Sequence, residues 1–128
     1  MSIYPIKAIA LNIIEFAFAN KKDRGGKPYI EHLKRVSRNA KKYSDVDMLQ
    51  DELEVIGLLH DLIEDCVEWD KKILNSVFRN ALIIDAVERL TKSENVDYDT
   101  YIKNINNKRY ARAVKLADLK DNMDLTRL

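Results

Sequence analysis

Two adjacent residues in the middle of the chain, His60 and Asp61, have side chains that can bind a metal ion or transfer a proton. Glu64 and Asp65 follow shortly after them, and the flanking positions are apolar: Val55, Ile56, Leu58, Leu59, Leu62 and Ile63. This pattern predicts a largely buried helix. Because ionisable groups are costly to bury unless they are paired or bound to a cation, a metal ion is the simplest partner for these side chains.

The spacing within this segment favours a shared pocket. Residues three or four apart lie on the same face of a helix, and His60, Asp61, Glu64 and Asp65 form several such pairs. Gly57 would let a second backbone approach the same face, or it is simply a position where two helices pack. The sequence leaves both readings open.

One segment can supply only part of a metal site, so further ligands must come from elsewhere in the chain. The only other histidine is His32, and Asp118 follows an apolar stretch that should turn it inward. With His60 and Asp61 they would form a set of two nitrogens and two oxygens, with room for water or substrate. Such mixed ligands suit Mn²⁺, Fe²⁺, Ni²⁺, Co²⁺ or Zn²⁺ better than Ca²⁺.

Composition limits the class of protein. With 128 residues and 46% hydrophobic residues, the chain is predicted to form one domain, residues 1–128. A net charge of +1 gives no reason to expect nucleic acid as a partner. The one cysteine, Cys66, excludes an internal disulfide, and no secretion signal or membrane span is evident. We expect a cytoplasmic protein with no membrane partner, and the sequence leaves its oligomeric state open.

The remaining pattern is helical. A glycine turn at 24–28 separates the first two helices, and Pro28 is suited to opening the second. Helices are predicted at 6–18, from Tyr29 to about Ala40, from about Val46 to Cys66, at 71–79 with Asp70 as N-cap, at 80–92, at 99–106 and from 108 to about 126, with a loop at 93–97. We expect an all-α bundle of about six to seven helices, from which a C-terminal closing helix could be absent.

The order of these residues resembles a known superfamily. The pattern His32, His60-Asp61, Asp118 is similar to that of the HD superfamily of metal-dependent phosphohydrolases. Four blocks in the same order resemble the hydrolase domain of RelA/SpoT-type enzymes, which act on the alarmone (p)ppGpp: 26–32, 58–65, 90–92, and 114–118 with Asn122. The resemblance extends from the end of the first helix to the end of the chain.

The resemblance implies an HD-domain helical bundle and a set of roles. His32, His60, Asp61 and Asp118 would bind one divalent metal, most often Mn²⁺ in these hydrolases. Glu64 and Asp65 match the acids that position and deprotonate the attacking water. The expected reaction removes the 3′-pyrophosphate of (p)ppGpp and gives GDP or GTP with pyrophosphate.

Substrate contacts are predicted around the same site. Asn122 matches a residue that contacts the nucleotide, and Arg24 and Lys27 in the glycine turn could neutralise phosphates. Lys115 and Lys92 are weaker candidates for that role. The family places an arginine that stacks on guanine nine residues before the first metal histidine, whereas this chain has Asp23 there.

Simpler interpretations remain beside these. Glu64 and Asp65 could cap neighbouring helices or pair with arginine or lysine. Phe18 and Tyr29 could be core or boundary packing, and the lysines at 21–22 could be ordinary solvated surface. The chain could also hydrolyse another nucleotide or phosphate ester, or it could be a non-catalytic module that binds a metal or nucleotide.

Overall fold

The computed structural model describes residues 5–124, and this part of the chain folds as an all-α bundle, as predicted. Its eight α-helices are α1 (Ile6–Ala17), α2 (Tyr29–Asn39), α3 (Gln50–Leu59), α4 (Leu62–Asp65), α5 (Lys71–Phe78), α6 (Ala81–Leu90), α7 (Tyr98–Asn106) and α8 (Arg109–Asn122). A 3-10 helix, Ala40–Tyr43, extends α2. No helix among residues 5–124 is both long and apolar enough to cross a membrane.

Helix α3 forms the centre of the bundle. Every residue from Leu53 to Leu59 is buried, and the helix contacts α1, α2, α6 and α8. Gly57 lies where α3 meets α2, because a Cβ atom at this position would stand 2.7 Å from the Cα atom of Ser37. Of the two interpretations of Gly57, the structure supports close helix packing, which also brings the backbone of α2 near the segment that bears His60.

The third predicted helix, Val46 to Cys66, is wrong in its bounds. Helix α3 begins only at Gln50 and ends at Leu59, and α4 is a separate single turn. The imidazole Nδ1 of His60 donates a hydrogen bond of 2.7 Å to the carbonyl oxygen of Gly57, which a continuing helix would offer to the backbone N–H of Asp61. Asp61 leaves helical geometry, with φ −103° and ψ 0°. The two candidate metal ligands of this segment, His60 and Asp61, are therefore the residues that interrupt the helix.

Most other predicted boundaries hold within one or two residues. Asp70 is the N-cap of α5, where its carboxylate accepts a hydrogen bond from the backbone N–H of Ile73, and Asn80 and Asp97 cap α6 and α7 in the same way. The last helix, predicted to run to about residue 126, ends at Asn122. Residues 125–128 lie outside the described part of the chain.

Candidate metal centre

Three elements bring two histidines and two aspartates to one point in the bundle. His32 comes from the first turn of α2, His60 and Asp61 from the link between α3 and α4, and Asp118 from the inward face of α8. Both histidines are 3% exposed and Asp118 is 7% exposed. Donor atoms of His32, His60 and Asp61 all lie within 4.8 Å of one another.

Asp118 closes this group of donor atoms. Its Oδ1 lies 3.0 Å from Nε2 of His32 and 3.3 Å from Nε2 of His60. The same Nε2 of His60 lies 3.2 Å from Oδ2 of Asp61. The four side chains that the sequence placed in one site thus converge on the two Nε2 atoms.

Both imidazole rings are held in the orientation that a metal ligand needs. Nδ1 of His60 faces the carbonyl oxygen of Gly57, and Nδ1 of His32 lies 2.6 Å from a carboxylate oxygen of Asp121. These oxygens only accept hydrogen bonds, so each Nδ1 carries the proton and each Nε2 points to the other donor atoms. A hydrogen bond at the outer nitrogen of this kind fixes the tautomer of metal-binding histidines.

The electrostatics of the cluster favour positive charge. Burial alone would lower the pKa of His60, but the negative charges of Asp61 and Asp118 outweigh burial and raise this pKa well above its ordinary value. Burial would also raise the pKa of Asp61, but the nearby His60 and the hydroxyl of Tyr29 lower it to about 2. Hydrogen bonds from His32 and His60 likewise hold the pKa of Asp118 well below its usual range. The pocket therefore stabilises two carboxylates and draws a proton onto an imidazole.

These observations fit a divalent cation. A metal with bonds of about 2.1 Å places adjacent ligand atoms about 3 Å apart, and the three contacts between imidazole and carboxylate span 3.0 to 3.3 Å. Because a cation competes with protons for such donors, a site that raises the pKa of a histidine is also one that gains from replacing the proton by a metal. This cluster of histidine and aspartate can hold a metal ion.

Tyr29 connects the cluster to its surroundings. Its hydroxyl donates a hydrogen bond of 2.5 Å to Oδ2 of Asp61, and its ring stacks on Phe18. Nζ of Lys21 lies 4.2 Å from the centre of the Tyr29 ring and 2.7 Å from Oδ2 of Asp65. The rings of Tyr29 and Phe18 pack as a core interpretation predicts, but that interpretation does not account for the hydrogen bond of the Tyr29 hydroxyl. Lys21 is not ordinary surface, because it contacts both the Tyr29 ring and Asp65.

The two acids predicted to handle the proton are both exposed, on the turn that follows Asp61. Oε1 of Glu64 accepts a hydrogen bond of 2.9 Å from the backbone N–H of Lys92, just beyond α6. Asp65 pairs with Lys21, as described above. The simpler interpretation therefore holds for Asp65, which pairs with a lysine, whereas Glu64 neither caps a helix nor pairs with a charged side chain in the contact described. Each of these contacts uses one carboxylate oxygen.

Two further predicted residues touch Asp118. Nζ of Lys115 lies 3.3 Å from Oδ2, and the side-chain amide of Asn122 lies 3.3 Å from Oδ1. Burial would lower the pKa of Lys115, but Asp118 outweighs this and raises it. Both side chains therefore contact Asp118, a candidate metal ligand.

Asp23 stabilises the glycine turn through its side chain. One carboxylate oxygen of Asp23 accepts hydrogen bonds of 2.9 Å from the backbone N–H groups of Gly25 and Lys27, and Gly26 has φ +83°, a conformation that suits glycine. Asp23 thus shapes the loop that presents the Arg24 side chain. Lys27 contributes its backbone to this turn.

A cavity of about 520 Å³ lies between the glycine turn and the end of α8. Cationic and anionic residues share its wall, together with His32: Lys21, Lys22, Arg24, Arg35, Asp23, Asp121 and Asp124. Arg24, a predicted phosphate contact, therefore lines this cavity, which also reaches His32, one of the candidate metal ligands.

The sequence analysis missed Tyr29, Arg35 and Asp121 as parts of the site. The helical register could have identified them, because residues three apart share a helix face. Tyr29 and Arg35 stand three residues before and after His32, and Asp121 stands three residues after Asp118.

Comparisons with known proteins give matches among solved structures. No protein-family model matches the chain, and no curated protein gives a significant match. Among solved structures, the chain is similar to that of a metazoan orthologue of SpoT that hydrolyses ppGpp and plays a role in starvation responses. The sequences are 21% identical, the match covers 95% of this chain and 70% of the other, and the TM-score is 0.74. The predicted HD-type, SpoT-like bundle is thereby confirmed as the fold.

Proposed function

We propose that this chain is a metal-dependent phosphohydrolase that acts on a phosphorylated nucleotide. The observation that carries the proposal is the cluster of His32, His60, Asp61 and Asp118, in which both Nε2 atoms face carboxylate oxygens at 3.0 to 3.3 Å. The fold adds support, since the protein of similar structure hydrolyses ppGpp.

The chain supplies the positioning and the proton transfer. A divalent cation bound by these four side chains would lower the pKa of a bound water and polarise a phosphoryl oxygen. Glu64 is the proposed general base, because its carboxylate is oriented by the N–H of Lys92 and projects from the turn that follows Asp61. Asp65, anchored by Lys21, would share in orienting the water.

The phosphates of the substrate are proposed to enter the cavity beside His32. Arg24 lines it, and its guanidinium can bind a phosphate through two parallel hydrogen bonds. Arg35 also lines it and adds positive charge, but its guanidinium is engaged by Asp121. Lys21 and Lys22 add positive charge at the same wall. Asn122 lines the same cavity and Lys115 contacts Asp118, and both are proposed to contact the substrate.

The most specific form of the proposal is hydrolysis of the 3′-pyrophosphate of (p)ppGpp. Asp23 binds the N–H groups of its own loop and cannot stack on guanine as an arginine would, so recognition of the base must use other groups. A different phosphorylated nucleotide, or a nucleoside monophosphate, is the alternative substrate for the same chemistry.

A panel of nucleotides with Mn²⁺ tests the proposal. The protein, freed of metal with a chelator and reloaded, is incubated with ppGpp, GTP and nucleoside monophosphates, and the released pyrophosphate and phosphate are measured separately. We expect pyrophosphate from ppGpp, only when metal is present. Release of phosphate from a monophosphate would move the substrate to that class, and a metal-loaded protein that turns over nothing in the panel would contradict the enzymatic proposal.

A further inference from the structure

We propose that Asp121, held by Arg35, is a positioning residue of the metal centre that fixes the ring of His32. The inference rests on the proposed function for the presence of a cation. It goes beyond that function because Asp121 is assigned a role at the metal without being one of its ligands.

The first support is the contact itself. Oδ2 of Asp121 lies 2.6 Å from Nδ1 of His32, and both side chains are almost fully buried, with 5% and 4% of their surface exposed. Because the proton of Nδ1 lies in this bond, Nε2 of His32 is left to face Oδ1 of Asp118 at 3.0 Å. A carboxylate in this position both orients an imidazole and makes its other nitrogen a stronger electron donor.

The second support is that Asp121 is itself held. Nε of Arg35 donates to Oδ1 at 2.8 Å, and a terminal nitrogen of the same guanidinium lies 3.2 Å from Oδ2. Such a two-point contact restricts rotation of the carboxylate more than a single bond would. Arg35 therefore keeps Oδ2 directed at the ring of His32.

The third support is the helical register, which makes these contacts one unit. His32 and Arg35 are three residues apart on α2, and Asp118 and Asp121 are three residues apart on α8. Each helix thus presents two side chains on the face toward the other. His32 bridges both aspartates with its two nitrogens, so any shift of Asp121 is transmitted to the nitrogen that faces the metal position.

His60 shows what this arrangement adds. Its Nδ1 is held by the carbonyl oxygen of Gly57, a backbone group within its own segment. His32 depends instead on a side chain from another helix. The orientation of His32 can therefore be weakened by one substitution that leaves every proposed metal ligand in place.

The experiment measures Mn²⁺ binding directly, by isothermal titration calorimetry of metal-free protein. Asp121→Asn keeps the shape of the side chain but removes its charge and one acceptor for Arg35. We expect its Mn²⁺ affinity to fall by about 10- to 100-fold, the usual cost of losing an outer partner of a metal-binding histidine. Asp85→Asn is the matched control, since it removes the same charge from an aspartate paired with an arginine, Arg89, and it should bind Mn²⁺ as the wild type does.

A second variant covers the case in which Asp121→Asn does not fold. Arg35→Gln leaves Asp121 charged and removes the guanidinium, and we expect a measurable loss of Mn²⁺ affinity that is smaller than that of Asp121→Asn, because Asp121 still contacts His32 but is held less firmly. Nitrogen NMR of the imidazole in the metal-free protein gives a readout that a merely structural role would not change. Nδ1 of wild-type His32 should carry a proton that it donates to Asp121, and Asp121→Asn should lose this proton and keep the one on Nε2, which faces Asp118.

The outcomes separate this inference from the proposed function. A wild type that binds no divalent cation would refute the proposed function itself. A wild type that binds Mn²⁺, with folded Asp121→Asn and Arg35→Gln variants that bind it equally well, would refute the role of Asp121 and leave the proposed function intact. Loss of affinity in both variants, but not in Asp85→Asn, supports the inference.

Discussion

Carboxylates inside this bundle are neutralised in two different ways. Glu54, in the middle of α3, is 4% exposed and pairs with Lys7, at 2.8 Å, and with Lys41. Asp61, just after α3, and Asp118 are neutralised by imidazoles. The lysine amines that pair with Glu54 come from α1 and from the 3-10 helix, so these ion pairs connect three elements.

The difference teaches that a buried carboxylate is not by itself a functional signal. A lysine carries its charge at any physiological pH, and the Glu54 cluster therefore needs nothing further. An imidazole gains or loses its proton near neutrality, and the second cluster can exchange a proton for a metal. The partner of the carboxylate, rather than its burial, distinguishes a structural tie from a candidate site.

The largest expected contrast comes from removing one carboxylate of each kind. Asp61→Ala should abolish Mn²⁺ binding and reduce turnover by at least about a thousandfold, because the metal supplies several kcal/mol of transition-state stabilisation. It should also lower the free energy of unfolding, since His60 and Asp118 stay buried without that partner. Metal content by elemental analysis and turnover of the nucleotide check both effects.

Glu54→Ala is the matched variant at the other cluster. Its lysines are about half exposed and can turn toward water, so we expect a loss of about 1–3 kcal/mol in the free energy of unfolding, with Mn²⁺ content unchanged. Full metal content in Asp61→Ala, or its loss in Glu54→Ala, would contradict the division between the two clusters.

The second prediction concerns proton transfer. Glu64→Gln should lower kcat by about 10²- to 10⁴-fold while Mn²⁺ still binds, because the amide cannot accept the proton of the attacking water. Glu68→Gln, a nearby exposed position, should leave kcat unchanged. A binding module without turnover predicts instead that both the wild type and Glu64→Gln bind metal and nucleotide equally well and that neither turns the nucleotide over, so the turnover assay distinguishes the two.

The sequence predicted the helices and the convergence of the four candidate ligands better than it predicted the surroundings of the site. Helices α1, α2 and α6 follow from their apolar spacing, and the chemistry of His60 and Asp61 is evident from residue type alone. Apolar periodicity could not predict the end of α3 at Leu59. The helix ends there as the imidazole of His60 bonds to the carbonyl oxygen of Gly57, which a continuing helix would offer to a backbone N–H. Tyr29 and Asp121 join the site through contacts with other segments of the chain. Spacing within one helix shows that they share a face with His32 or Asp118, but it does not show these contacts.

The third prediction concerns how the helices set the distance between the two imidazoles. Gly57→Ala would place a Cβ 2.7 Å from the Cα of Ser37, a backbone atom that can move only with α2. We expect the free energy of unfolding to fall by about 3 kcal/mol and Mn²⁺ affinity to fall with it, because His32 moves with α2. Gly26→Ala strains a turn with open space around it and should cost about 1 kcal/mol without changing Mn²⁺ affinity. Equal Mn²⁺ affinity in both variants would show that helix spacing does not set the site.

The smallest expected effect is the pH dependence of stability, and it compares the clusters without any mutation. The folded-state pKa of His60 is raised, so in metal-free protein its stabilising contribution is full below the ordinary value of 6.5 and is lost as pH rises through the raised pKa. The lowered pKa of Asp61 acts only at the acid end, where its contribution is lost as pH falls toward about 2.

Thermal unfolding from about pH 6 to about pH 8.5, with chelator and with Mn²⁺, checks this sign. The metal-free protein should lose stability as pH rises. The Mn²⁺-loaded protein should not, because the cation then supplies the charge that the proton had supplied. The pKa of Glu54 is lowered, burial being outweighed by Lys41 and Lys7, so its cluster changes only at acid pH and Glu54→Gln should leave both slopes as they are. Parallel slopes with and without Mn²⁺ would mean that the imidazole proton and the metal do not share one site.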